Sequence, residues 1–102
     1  MPSGSHWVVL CIDDNISFYV DSFGCHPPED VTYFCRNCKC LYYNTKQIQA
    51  NSSVACGFYC LAFIKFFHEN KKNDVIKNFT NLFYQNRYLI RNDKVLEKYL
   101  KS

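Results

Sequence analysis

An apolar segment, residues 56–64, constrains the fold more than any other part of this sequence. Each of its nine residues is hydrophobic or glycine, and small polar residues precede it at positions 51–53. Either Ser52 or Ser53 can cap a helix that runs from about residue 55 to residue 69. Because this helix is apolar on every side as far as Ile64, we expect it to lie in the interior of the fold.

The composition indicates one packed globular domain. The chain has 102 residues, of which 48% are hydrophobic and 21% are charged, and this length suits a single modest core. Its seven cysteines are not accompanied by a signal peptide, because no basic region followed by an apolar stretch opens the sequence. We therefore expect a reducing, intracellular compartment. We expect no membrane partner, since the longest apolar run is too short to span a bilayer.

The segments around this helix predict an α+β fold, with a small mixed sheet packed on the central helix and further helices at the C-terminus. Residues 7–12 form a β-branched apolar run that predicts a strand buried on both faces, and residues 17–21 predict its hairpin partner. Pro27-Pro28 opens a short helix, whose apolar face carries Val31, Phe34, Cys35 and Cys38. The other predicted elements are strands at 41–43 and 47–49 and helices at 74–84 and 93–101.

Cys56 stands at the start of the predicted central helix. The positive end of the peptide dipoles lies there and lowers the pKa of a thiol. The backbone N–H of Cys56 is one of the free donors of the first turn and can stabilise an oxyanion, while Gly57 leaves the space above the thiol clear. A cysteine on an apolar helix is more often an ordinary core residue, so its partners decide the interpretation.

Three further residues could complete a cysteine-nucleophile site. His6, at the edge of the first predicted strand, could act as general base, and Asp21, at the end of the adjacent strand, could orient its imidazole. Gln49, seven residues before Cys56, could supply an oxyanion donor from its side-chain amide. Gln47 lies on the same predicted strand and would point the same way. Each of these residues, taken singly, could equally be an ordinary surface or strand-end residue.

Together these residues resemble the adenovirus protease (adenain) family of cysteine peptidases, whose clan includes the SUMO- and ubiquitin-like-specific proteases. The motifs that carry the resemblance are His6-Trp7, Asp21 before Ser-Phe-Gly, Gln49, and Ala55-Cys56-Gly57, in the family's order and spacing. Within this family, the sequence most resembles the adenain-like proteases of large virus-like DNA transposons and related viruses. Residues 42–44, 47–49 and 59–61 carry this closer resemblance. The resemblance is strong from residue 5 to about residue 70 and weak in the C-terminal helices.

The resemblance implies a papain-like cysteine proteinase superfold and a single adenain-like peptidase domain over residues 1–102. It implies His6 as general base, Asp21 as its orienter (the adenoviral enzymes use Glu), Gln49 as oxyanion donor and Cys56 as nucleophile. It also implies that Trp7 shields the site beside the catalytic His. The expected activity is a thiol endopeptidase that cuts peptide or isopeptide bonds.

The resemblance also bears on partners and location. The implied substrate is a polypeptide, namely a viral or mobile-element precursor or, as an alternative, a ubiquitin-like protein that is processed or released. The implied location is the host cytoplasm or nucleus, or the virion.

No cofactor is required by this chemistry, although the resemblance implies two optional activators. Cys38 lies eleven residues before Gln49, which looks like the spacing of the adenoviral cysteine that takes an activating peptide by disulfide; Cys35 and Cys40 are neighbouring candidates. DNA is the second activator. Residues 55–102 carry nine basic and four acidic side chains, against three and five in residues 1–54, and this basic half could bind DNA weakly. A solvated lysine face on the helices explains the same asymmetry.

Two other classes of function stay open. Cys25, His26, Cys35, Cys38 and Cys40 offer enough nitrogen and sulfur ligands for a Cys-rich zinc-binding interaction domain. The second is a truncated, inactive relic of a peptidase that acts as a binding module. Only five residues precede His6, whereas in the family a segment of about fifty residues, a third of a typical domain, precedes the catalytic His.

Overall fold

Three strands and four α-helices form the fold of residues 6–102, the part of the chain that the computed structural model describes. The elements are, in chain order, β1 (Val9–Asp13), β2 (Ile16–Val20), α1 (Glu29–Phe34), β3 (Cys40–Tyr43), α2 (Cys56–Glu69), α3 (Val75–Thr80) and α4 (Asn92–Leu100). A 3₁₀ helix, Asn86–Arg91, stands before α4. The predicted α+β class, with a small mixed sheet and further helices at the C-terminus, is confirmed.

The sheet has the order β1-β2-β3. β1 and β2 form the predicted antiparallel hairpin, in which Val9 faces Val20, and β3 runs parallel to β2. The hairpin turn consists of Asp14 and Asn15, both with positive φ, at 48° and 65°. This is the backbone of a type I′ turn, whose twist matches that of the strands and which Asp and Asn tolerate well.

The prediction that the first strand is buried on both faces is wrong. β1 starts at Val9, which is buried, but Ile12 is exposed, and Trp7 lies before the strand with 63% of its surface exposed. β2 is the buried strand, because it is the central one and residues 17–20 are covered on both faces. A run of apolar residues therefore marked an edge strand here, with one face left partly open.

The strand predicted at 47–49 does not form. The N–H groups of Ile48 and Gln49 both donate to the carbonyl of Ser22, at 2.9 and 3.0 Å, whereas a strand would direct them to different partners. Ile48 is nevertheless fully buried. Gln47 and Gln49 therefore do not share a strand face, and the Gln47 amide donates to the carbonyl of Gln49, at 2.8 Å.

α2 begins at Cys56, close to its predicted start, and lies across the sheet and the other helices. One face of this helix is buried, at positions 59, 62, 63, 66 and 67, which is the spacing of a core-facing helical stripe. The prediction of burial on every side is wrong, because Phe58, Leu61 and Ile64 are exposed. The sheet and the short helices cover only one side of α2. The expected serine cap is also absent, since the N-cap residue is Ala55.

The C-terminal helices close the core against the buried face of α2. Phe79 of α3 packs on Phe63, with ring centroids 5.2 Å apart, and on Phe83, at 5.4 Å. α3 is shorter than the predicted 74–84 helix, and α4 lies within one residue of its predicted bounds. Leu96 of α4 completes this cluster.

α1 contributes little to the core. None of its residues is buried, and Phe34 is 64% exposed. α1 ends at Phe34, so Cys35 and Cys38, predicted to share a helix face with Val31 and Phe34, lie beyond it, and of these four residues Cys35 alone is buried. Within residues 6–102, no helix has both the length and the apolar character needed to cross a membrane.

Candidate active site

His6 and Asp21 form a hydrogen bond at the open end of the β1–β2 hairpin. His6 Nε2 lies 2.8 Å from Asp21 Oδ1, and the two side chains are 14% and 5% exposed. His6 comes just before β1 and Asp21 just after β2, and Val9 is paired with Val20. Because antiparallel pairing brings the start of one strand beside the end of the next, the hairpin itself brings the two residues together.

Asp21 is held by buried hydrogen bonds. Its Oδ1 also accepts the backbone N–H of Phe23, at 2.9 Å. The side chain of Asn44 accepts the Asp21 N–H at 3.0 Å and donates to the Asp21 carbonyl at 2.7 Å. The carboxylate is therefore fixed through its own backbone. The ring of Phe23, 4.9 Å from that of His6, packs beside the imidazole.

Asn44 had not been identified from the sequence as a site residue. It is 3% exposed and comes directly after β3, whose Tyr43 is paired with Tyr19 of β2. Since parallel strands end at the same edge of a sheet, a polar residue after β3 lies near the residue that ends β2. A polar side chain at that point of the sequence was the signal that could have identified it.

The Cys56 thiol lies next to the His6–Asp21 pair. The backbone N–H of Trp7 donates to Cys56 Sγ, with N and S 3.5 Å apart, and Trp7 is the residue after His6. Cys56 is 9% exposed and is the first residue of α2. Of the four predicted residues, His6 and Asp21 are thus in direct contact, and Cys56 contacts the residue next to His6, between the hairpin and the start of α2.

Cys60, one helical turn after Cys56, is the contrasting thiol. Burial, with smaller contributions from the charges of Cys56, Asp21 and Cys11, raises the pKa of the Cys60 thiol to about 11. Burial also raises the pKa of Cys11. Both residues therefore stay as neutral thiols near neutral pH, which makes them poor nucleophiles.

Trp7 covers the first turn of α2. A Cβ atom at Gly57 would lie 3.7 Å from Cδ1 of the Trp7 indole, which is an ordinary van der Waals contact. A larger side chain at position 57 would have to displace the indole. The Trp7 indole thus lies over Gly57, and the expectation that Gly57 leaves the space above the thiol clear stays a prediction.

Gln49 is completely buried in the loop that leads into α2. Its Oε1 accepts a hydrogen bond from the hydroxyl of Ser22. Its Nε2 donates to the carbonyl and hydroxyl oxygens of Ser53, at 3.1 and 3.2 Å. The amide therefore has a defined direction, with its nitrogen toward the residues before Cys56, and its hydrogen bonds go to serines rather than to the thiol.

A polar network from α4 supports this loop, and no sequence pattern had predicted it. Asp93 Oδ1 accepts hydrogen bonds from the Ser53 hydroxyl and the Tyr59 hydroxyl, both at 2.9 Å. Burial and the hydrogen bond to Asp93 raise the pKa of Tyr59. The neighbouring Asn92, fully buried, donates to the carbonyl of Ile48 at 2.7 Å. The only signal in the sequence is a pair of polar residues at the start of a predicted helix.

The cysteines of the proposed zinc site are not arranged around a common point. No group of three His, Cys, Asp or Glu side chains within residues 6–102, which include all five suggested ligands, could hold a metal ion. Cys38 instead accepts a hydrogen bond from the Ser17 hydroxyl at 3.2 Å, and the ring of His26 packs on Tyr43. Cys38 is partly exposed, and its role as the site of a peptide disulfide stays a prediction.

A cavity of about 490 Å³ lies between β3 and α3. Its lining includes Phe18, Tyr42, Lys46, Val75 and Lys77, and none of the four predicted catalytic residues contributes to it. The candidate active site is therefore a separate place, at the sheet edge beneath Trp7.

The chain matches no protein-family model, and no curated protein matches it. Its function is therefore inferred from the arrangement of its own side chains.

Proposed function

We propose that this chain is a thiol peptidase of the papain-like superfold, related to the adenain family, with Cys56 as its nucleophile. The observation that carries the proposal is the contact of Cys56 Sγ with the backbone of Trp7, beside a His6 imidazole that is paired with Asp21 at 2.8 Å. A thiol at a helix start, an imidazole and a carboxylate that orients it are the parts of a cysteine-nucleophile site.

The proposed mechanism is acyl transfer. His6 Nε2 is held by Asp21, so Nδ1 is the nitrogen that takes the thiol proton, and the resulting thiolate attacks the substrate carbonyl. The backbone N–H of Cys56 and the Gln49 amide stabilise the oxyanion, and His6 gives its proton to the departing amine as the thioester forms. A water molecule, deprotonated by His6, then cleaves the thioester and restores the thiol.

A polypeptide substrate is supported by the apolar surface around the thiol. Trp7, Val54 and Phe58 lie within two residues of His6 or Cys56 and are 63%, 91% and 58% exposed. Exposed aromatic and aliphatic side chains beside a reactive group favour a partner with apolar side chains of its own. Two kinds of substrate carry such apolar side chains, namely precursor proteins of a virus or mobile element and ubiquitin-like proteins. Of the two, we propose the precursor proteins.

A binding module without activity is the second candidate. The observation that favours it is the burial of Gln49, whose amide already donates to Ser53. A substrate oxygen reaches that amide only if the loop before Cys56 rearranges. In an inactive relic no such rearrangement would occur, and the exposed apolar surface would serve binding alone.

Alkylation kinetics test the proposal. The protein is treated with iodoacetamide near neutral pH, and the rate at each of the seven cysteines is followed by peptide mass spectrometry. We expect Cys56 to react fastest, although it is nearly buried, and His6→Ala to slow Cys56 alone. His68→Ala, at the far end of α2, is the matched control and should change nothing. Rates that simply follow exposure, with Cys25 first, would contradict the proposal.

An activated ester tests whether Cys56 performs acyl transfer. With p-nitrophenyl acetate, the acetyl group is transferred to Cys56 Sγ and p-nitrophenolate leaves, so an active site releases a burst of about one nitrophenolate per chain. Mass spectrometry of the digested protein then identifies the residue that carries the acetyl group. A reactive Cys56 with no burst would favour the inactive binding module.

A further inference from the structure

The direction of the Gln49 amide decides whether it can serve an oxyanion. Only the nitrogen end donates hydrogen bonds, and the oxygen end would repel a developing negative charge. Ser22 donates to the oxygen end and Ser53 accepts from the nitrogen end. Turning the amide over would therefore break the hydrogen bonds at both ends.

Ser53 accepts through two oxygens of one residue. The two hydrogens of an amide nitrogen diverge by about 120°, and the carbonyl and hydroxyl oxygens of a single serine lie too close together to take one linear hydrogen bond from each. A single N–H of Gln49 is therefore shared between them. The second N–H is left for another acceptor, which can reach the buried amide once the loop before Cys56 moves.

The hydroxyl of Ser53 accepts in this contact because its own hydrogen is used elsewhere. A serine hydroxyl has one hydrogen and two lone pairs. The hydrogen is donated to Asp93 Oδ1 at 2.9 Å. The lone pairs then face Gln49 Nε2, at 3.2 Å, and the N–H of Ala55, also at 3.2 Å.

We propose that Asp93 is a positioning residue of the candidate active site, which acts through Ser53 to keep the nitrogen end of the Gln49 amide toward the loop before Cys56. The inference rests on the proposed function, since an oxyanion donor matters only to a working peptidase. Without the carboxylate, the Ser53 hydroxyl can turn its hydrogen toward Gln49, which removes one acceptor and weakens the preference for the active direction of the amide.

Asp93 connects the C-terminal helix, α4, to the segments that carry Gln49 and Cys56. It lies in the first turn of α4, forty residues after Ser53. The same oxygen accepts the hydroxyl of Tyr59, from the first turn of α2. Asn92, the residue before it, anchors α4 to the Ile48 carbonyl. The start of α4 thus contacts both the loop that holds Gln49 and the helix that carries Cys56.

Two reactions of Cys56 separate this role from a general structural one. Acylation by p-nitrophenyl acetate passes through an oxyanion, whereas alkylation by iodoacetamide is a direct displacement that forms none. Loss of a complete oxyanion donor costs roughly 10²- to 10³-fold in rate. We expect Asp93→Leu to slow acylation by about tenfold, because part of the population retains the active amide direction, and to leave alkylation of Cys56 within about twofold.

Three single variants and one double variant complete the experiment. Asp93→Asn keeps a side-chain oxygen that accepts from Ser53, so its acylation rate should stay within about twofold of the wild type. Tyr59→Phe removes the other hydrogen bond to Asp93, of the same length, and should also stay within about twofold. Ser53→Ala should slow acylation by about tenfold. The double variant Ser53→Ala with Asp93→Leu should acylate less than about twofold more slowly than Ser53→Ala alone, because both substitutions interrupt the same hydrogen-bond network.

The outcomes are distinct. Wild-type acylation in Asp93→Leu, or an equal fall in acylation and alkylation, would overturn the positioning role. Should Asp93→Leu fail to fold, Ser53→Ala alone decides. A wild-type acylation rate in Ser53→Ala would show that Ser53 does not connect Asp93 to Gln49 in the reaction, and would overturn the positioning role. A wild-type protein with neither an ester burst nor preferential alkylation of Cys56 would instead overturn the proposed function, and the positioning role with it.

Discussion

The base side and the thiol side of the candidate site are held by different kinds of contact. On the base side, Asn44 holds the backbone of Asp21 through two buried hydrogen bonds, within one sheet. On the thiol side, Gln49 depends on a hydroxyl, that of Ser53, which depends in turn on the carboxylate of Asp93 near the surface. The first arrangement follows from strand pairing, and the second requires a helix from the other end of the chain.

The two sides also differ in the free energy that is lost when a hydrogen bond is removed. A buried donor or acceptor that loses its partner keeps its full desolvation penalty, whereas a partly exposed one can turn to water. The base side is therefore expected to be rigid, and its disruption should affect both folding and chemistry. The thiol side is expected to adjust, and its disruption should affect chemistry more than folding.

The largest expected effect is at the nucleophile. Cys56→Ala should abolish the ester burst and all hydrolysis, because Cys56 is the thiol that contacts the backbone next to His6. Cys60→Ala is the matched control, one turn away on the same helix. With its pKa raised to about 11, the Cys60 thiol is neutral until the pH rises toward that value, so its loss should leave the burst intact. A burst that survives in Cys56→Ala would move the chemistry to another residue.

The next largest effect tests the base side. In Asp21→Asn, the amide can donate to Nε2 of His6, which favours the tautomer with its hydrogen on Nδ1 and leaves that nitrogen unable to take the thiol proton. The acylation rate should fall by up to about 10⁴-fold, as measured by stopped-flow with p-nitrophenyl acetate. Asp14→Asn, in the hairpin turn, is the control and should have no effect. A loss of less than about tenfold would mean that Asp21 serves only the fold.

Gln49→Ala tests the thiol side. Removal of an oxyanion donor should lower kcat by roughly 10²- to 10³-fold while leaving the alkylation rate of Cys56 near that of the wild type. Gln47→Ala is the control, because the Gln47 amide donates to the Gln49 carbonyl and to Asn51, both at 2.8 Å. Wild-type acylation in Gln49→Ala together with a loss in Gln47→Ala would transfer the role to Gln47.

The sequence was sufficient to predict the His6–Asp21 contact of the base side, although not the support that Asn44 gives to Asp21. Apolar β-branched runs joined by Asp-Asn turn residues predict a hairpin, and a hairpin brings together His6 and Asp21, the residues just outside its ends. The start of α2 at Cys56 was also predictable, because a loop of small polar residues gives way there to a continuous apolar run. Both features depend on local patterns of residues.

The thiol side could not be predicted in the same way. Residues 47–49 alternate polar and apolar side chains as a strand would, yet Ile48 is buried by the fold while its N–H bonds to Ser22 outside any ladder. Likewise, the apolar outer face of α2 predicted burial, but Phe58, Leu61 and Ile64 are exposed because the sheet and the other helices pack on the opposite face. The contact between Ser53 and Asp93 spans forty residues and has no periodic signature.

The smallest expected effects compare the two sides directly through folding stability. Asn44→Ala removes the acceptor of a buried N–H and should lower the free energy of unfolding by about 2 to 3 kcal/mol, whereas Ser53→Ala, in a partly exposed contact, should lower it by about 0.5 to 1 kcal/mol. Urea titration followed by circular dichroism measures both, provided that the slope with denaturant is unchanged. Equal losses would show that the two sides are equally rigid. A larger loss in Ser53→Ala would mean that α4 stabilises the site more than the sheet does, since the Asp93 contact would then contribute more to folding than the buried hydrogen bonds of Asn44.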